Sequence, residues 1–111
     1  MGMTRADLLA QLETYYRGCG WKVEPVDDRT VHAHGPGGVT WVGLAVVSDD
    51  LREGAFADRL SELSARRMES GGERCPLELL PDPACADDLR SLLTTLRLTD
   101  RVSVYSLASA A

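Results

Sequence analysis

A single lysine, Lys22, and a single phenylalanine, Phe56, stand in a chain of 111 residues. The scarcity of lysine removes the usual phosphate-gripping or Schiff-base amine from nearly every position. Twelve basic residues face seventeen acidic ones, for a formal net charge of -5. An acidic surface repels a phosphate backbone, so nucleic acid is disfavoured as a partner. No apolar run approaches the ~18–20 residues that cross a bilayer, which argues against a membrane. Arg5 and Asp7 interrupt the leucines near the N-terminus, so the uninterrupted apolar stretch of a secretion signal is missing. Myristoylation is also set aside, because position 6 carries Ala6 where that motif requires Ser or Thr. Cys19, Cys75 and Cys85 are odd in number and lack a Cys-x-x-Cys pair. That usage fits reduced thiols in a cytoplasm better than a disulfide framework.

What is present reads as one folded domain over residues 1–111, with a tail over about 108–111 that frays. Apolar residues make up 44% and charged residues 26%, ordinary globular usage that argues against disorder. Thr4 and Asp7 supply a hydroxyl cap and an acid for a helix start. Leu8, Leu9, Leu12, Tyr15 and Tyr16 then follow helical spacing until Gly18 and Gly20. Tyr15 and Tyr16 cannot both face the core fully, which leaves one of them partly exposed. Trp21 to Val26 alternates as a half-buried strand, and Pro25 places it at a sheet edge or at the strand's end. Asp27-Asp28-Arg29 reads as a turn, Thr30 to His34 as a second strand, and Gly35-Pro36-Gly37-Gly38 as a second turn.

Val39 to Val47 is the most informative segment. Both of its faces are largely apolar, so it belongs at the centre of a sheet covered by helices on both sides. Phe56, Leu60, Leu63 and Met68 mark a helix over roughly Glu53 to Glu69, ended by Gly71-Gly72. Cys75 to Leu80 is a strand, Asp82-Pro83 starts a third helix that reaches about Arg97, and Val102 to Leu107 is the last strand. The order α-β-β-β-α-β-α-β predicts a mixed α/β sheet of about five strands. Short turns make an antiparallel meander, and helical crossovers make a parallel half.

Four groups of residues are candidates for chemistry. Asp49, Asp50 and Asp82 fall at the carboxyl ends of parallel strands, where open α/β sheets bind ligands. Converging carboxylates would suit Mg²⁺ and phosphate chemistry. Helix capping explains the same residues, and no cofactor is expected. His32 and His34 lie two apart on a strand and share a face, a start for a metal site that needs a third ligand. Cys75, Cys85, Asp27 or Asp28 would have to supply it, and a solvent-facing polar side of the strand is the plainer reading. Arg52, Arg59 and Arg66 recur every seven residues, with Arg67 beside them, as a row for an acidic partner or a phosphate backbone. Interleaved Asp58, Glu62 and Glu69 favour a salt-bridged solvent face instead. Cys85 sits in a first helical turn, where the helix end would lower a thiol's pKa, but no histidine partner accompanies it.

The opening order, a helix, a three-strand meander, a helix and a strand, is similar to the core of the restriction-endonuclease-like fold over about two thirds of the chain. That resemblance implies an acid near the second or third strand and a Glu-x-Lys pair in the third. Thr40-Trp41-Val42-Gly43-Leu44-Ala45-Val46-Val47 offers neither, so any such relative has lost its nuclease chemistry.

Because no group supplies nucleophile, base and charge stabiliser together, the sequence leans away from an enzyme. It points to a small cytoplasmic accessory or regulatory module that acts through a protein partner or small ligand. A homodimer paired through an edge strand is open to it.

Overall fold

The computed structural model describes residues 4–65 and 75–105. The first helix, α1 (Arg5–Gly18), begins with a reciprocal cap. Thr4 Oγ1 accepts from the Asp7 N–H at 3.1 Å, and Asp7 Oδ2 accepts from the Thr4 N–H at 3.2 Å. Its buried stripe is Leu8, Leu12 and Tyr16, while Tyr15 stays 50% exposed. Gly20 turns the chain out of the helix at φ +85°, a conformation that costs glycine nothing.

Strands β1 (Lys22–Pro25), β2 (Thr30–His34) and β3 (Thr40–Val46) form the expected antiparallel meander. Two helices follow, α2 (Ser48–Leu51) and α3 (Gly54–Ala65), then β4 (Leu77–Pro81), α4 (Ala86–Thr95) and β5 (Val102–Val104). Sheet order equals chain order, β1-β2-β3-β4-β5, with β3-β4 and β4-β5 parallel. This is the mixed five-stranded α/β sheet that the pattern predicts. Pro25 lies on an outermost strand, where its missing N–H breaks no ladder.

Helices cover both faces of the sheet. On one, Val31, Ala33, Ala45 and Leu80 pack against Leu8, Leu12 and Tyr16 of α1. On the other, Val42, Leu44, Val46, Leu77 and Leu79 meet Phe56 and Leu60 of α3 and Leu89 and Leu93 of α4. Each such leucine removed from water stabilises the fold by about 1.5–3 kcal/mol. From Val42 to Val46 every residue of β3 is buried, which is why that strand carries no polar alternation.

The structure corrects the second helix. Instead of one helix from Glu53, a single turn precedes α3, and Arg52 and Glu53 separate the two. The turn forms because the Asp50 carboxylate folds back to accept the Val47 N–H at 2.9 Å. Strand β4 begins two residues later than Cys75 and runs through Pro81. Met68, Gly71 and Gly72, the region beyond Ala65 in the expected helix, and the tail from Ala108 lie outside the described residues.

Candidate functional site

The three acids at the carboxyl ends of the strands have separate tasks. Strands β3 and β4 are neighbours, with Val46 opposite Pro81, so the premise that brought Asp50 and Asp82 to one end of the sheet holds. Asp50 is nevertheless fully buried, and its Oδ1 receives Arg5 Nη2 at 2.6 Å and Arg29 Nη1 at 2.9 Å. With Oδ2 on the Val47 N–H, both oxygens of this carboxylate are occupied. The Asp50 hydrogen bond and charge push the Arg5 guanidinium above its ordinary pKa. Asp82 Oδ1 accepts from the Ala84 N–H at 3.3 Å and caps the turn that leads into α4. Asp49 points into solvent and pairs with Arg52 at 3.2 Å. Capping and ion pairing account for all three.

Arg52 and Arg59 do not share one helix. Arg52 ends the short turn of α2, whereas Arg59 lies on α3. Arg66 and Arg67 lie outside the described residues. Arg59 Nη2 donates to Asp27 Oδ2 at 2.7 Å and to Thr30 Oγ1 at 3.2 Å, tying α3 to the β1–β2 turn. Burial pushes Asp27 upward, but the Arg29 and Thr30 hydrogen bonds and the Arg59 charge hold it below the usual carboxylate range.

Cys85 is buried, and its thiol lies 3.7 Å from the Val46 carbonyl. Burial, followed by the Asp82 charge, raises its pKa, the reverse of the lowering expected from a helix start. Of the three cysteines, Cys19 is exposed and Cys75 and Cys85 are buried.

The histidine strand departs most from its expected setting. Val31 and Ala33 do face α1, but on the opposite side Thr30 and His32 are buried too, and only His34 is partly open to solvent. His32, on β2, retains 7% of its surface and faces residues of α3. A groove of about 570 Å³ runs between them, lined by Val26, Asp27, Thr30, His32, Arg59, Glu62 and Leu63. Among its lining residues, Arg59 has a buried Nε with no hydrogen-bond partner, and Val26 is 48% exposed.

Neither a cysteine nor Asp27 or Asp28 joins the histidines. Glu24 does, from β1, directly opposite His32 in the antiparallel register. Donor atoms of Glu24, His32 and His34 all lie within 4.8 Å of one another, and among the described residues this is the one such group of three. Glu24 was legible in principle: pairing the strands back from the Asp27-Asp28-Arg29 turn sets Glu24 beside His32. A second cluster, which alternation alone does not reveal, is Glu78 of β4. Its buried carboxyl receives the hydroxyls of Tyr16, at 2.6 Å, and Tyr105.

No protein-family model, curated protein or solved structure matches this chain. The likeness to the restriction-endonuclease-like core is therefore one of element order read from the sequence, and no solved structure supports it.

Proposed function

We propose that this chain is a small cytoplasmic accessory module that acts by binding, and that its binding surface is the groove between β2, the β1–β2 turn and α3. One observation carries the reading: a groove of ligand size, about 570 Å³, joins apolar Val26 and Leu63 to charged and polar side chains from β2, the β1–β2 turn and α3. Ligand pockets run to about 300–1,000 Å³ and combine apolar walls with a few convergent polar groups. Here Val26 and Leu63 supply apolar wall, and Asp27, Thr30, His32, Arg59 and Glu62 supply the polar groups. The ligand of best fit is a small neutral molecule with a short apolar body and a polar end that both donates and accepts, such as an amide, because Asp27 and Glu62 line the groove beside Arg59 and repel a carboxylate. An odd number of cysteines with no Cys-x-x-Cys pair supports a reducing setting.

The test is a two-dimensional amide NMR titration with a panel of small aliphatic and aromatic amides. Binding should move the amides of Thr30, His32, Arg59 and Leu63 together, and Arg59→Ala should weaken it at least tenfold. Shifts scattered over the surface, or an unchanged response in Arg59→Ala, would overturn the reading. A response only to protein fractions would move the function to a macromolecular partner.

A further inference from the structure

We infer that Glu24, His32 and His34 form a binding site for a divalent transition metal of the zinc class. The inference shares His32 with the groove but does not rest on it.

Backbone geometry brings the three together. Side chains two apart on a strand share a face, which aligns His32 with His34. Antiparallel pairing of β1 with β2 sets Glu24 opposite His32 and Lys22 opposite His34. The two imidazole rings stand 6.1 Å apart and nearly perpendicular, at 88°. Glu24 Oε1 already approaches His34 Nε2 at 3.6 Å. Three donors no more than 4.8 Å apart sit at most about 2.8 Å from a common centre, so each moves in by at most roughly 0.7 Å to reach zinc bonds of ~2.0–2.2 Å. Side-chain rotation supplies that much without a shift of the strands.

The outer shell fits a metal as well. His34 Nδ1 lies 3.2 Å from Thr40 Oγ1, and Thr40 is the β3 residue paired with His34. When Nδ1–H donates to that hydroxyl, Nε2 carries its lone pair toward Glu24. Such a partner fixes the ring and its tautomer at most histidine-ligated metals.

The donor set selects the ion. Two imidazoles and one carboxylate suit zinc and its first-row neighbours, whereas Mg²⁺ and Ca²⁺ prefer all-oxygen shells. Three protein ligands leave a fourth position for water or another ligand. His32 is buried while the side chains of His34 and Glu24 are 39% and 65% exposed, so an ion reaches the site from the sheet edge. The location also differs from the one that the acids suggested. His34 pairs with Thr40 at the start of β3, whereas Asp49 and Asp50 follow its end.

The experiment is calorimetric titration of the untagged chain with zinc sulfate, in a Cys19→Ser background that removes the exposed thiol. Cobalt(II) absorption in the visible serves as a second readout. One zinc per chain is expected, with a cobalt spectrum of four-coordinate type. Glu24→Gln and His34→Ala should each weaken zinc binding by at least ~100-fold, and Thr40→Val by ~10-fold. Those side chains are partly exposed, so the variants should keep the wild-type circular dichroism, and buried His32 is left in place. No saturable binding, or binding that Glu24→Gln and His34→Ala leave unchanged, would overturn the inference.

Discussion

The Tyr16 hydroxyl donates a 2.6 Å hydrogen bond to Glu78 Oε1, joining α1 to a carboxyl buried in the middle strand of the parallel half. Tyr105 donates to the other oxygen. The two hydroxyls close over a group that burial would otherwise leave without water.

Burial is the main force on Glu78 and raises its pKa, against a smaller lowering by the Tyr16 hydrogen bond. A carboxyl whose folded pKa exceeds its unfolded value binds its proton more tightly when folded. Its stabilising contribution is therefore complete below the unfolded value, about pH 4.3, and is lost as pH rises through the folded one. Melting temperatures across that window should fall less steeply for Glu78→Gln than for wild type. Parallel curves would show that Glu78 ionises in the fold as it does in water.

The same tyrosine explains Gly43. A Cβ at that position would stand 2.9 Å from two atoms of the Tyr16 ring end, closer than real contacts allow. Gly43→Ala should cost about 1–3 kcal/mol in urea unfolding. In a Tyr16→Ala background the added cost should be smaller by at least half, since only the Val31 methyl, at 3.2 Å, still crowds the new Cβ. Additive penalties would mean that the ring does not hold that space.

Asp50 carries two guanidiniums and a backbone cap on one fully buried carboxylate. Removing one partner of a buried charge set strands the others, so Asp50→Ala should destabilise by about 3–5 kcal/mol. Because both oxygens are occupied, millimolar Mg²⁺ should leave the wild-type melting temperature unchanged. A rise in that temperature with Mg²⁺ would return the acid cluster to consideration.

Thiol reactivity should divide by exposure. Cys19 is exposed, Cys75 and Cys85 are buried, and burial raises the Cys85 pKa. Native protein should release one equivalent of thionitrobenzoate rapidly from Ellman's reagent and the other two only on unfolding. Fast release of two or three equivalents would contradict the burial of those side chains.

Local signals carried most of the architecture. The Thr4–Asp7 cap, Pro25 at an edge, Asp82-Pro83 as a helix start and the doubly apolar Val39–Val47 run each act within a few residues, and each is realised. What escaped was non-local. Period-two alternation shows which residues share the face of His32, but not that Arg59, Glu62 and Leu63 of α3, more than twenty residues on, would line a groove with it. The strand of Glu78 was read correctly while its tyrosine partners stand 62 and 27 positions away. The broken second helix was missed because Ser48-Asp49-Asp50 reads equally well as a cap for one long helix. Only Arg5 and Arg29, brought in from elsewhere, anchor Asp50 in a turn of its own.

The contrast between the two halves of the sheet bears on how the chain acquires its shape. The meander needs only short hairpins, whereas β4 reaches β3 by closing the long crossover between Val46 and Leu77. Loops of that length close at a larger entropic cost, so the meander and α1 are favoured to assemble first. Until β4 arrives, β3 presents an open hydrogen-bonding edge on a strand with no polar side to protect it. Recovery from denaturant should therefore decline as concentration rises, because a second molecule competes for that edge before the chain's own β4 arrives.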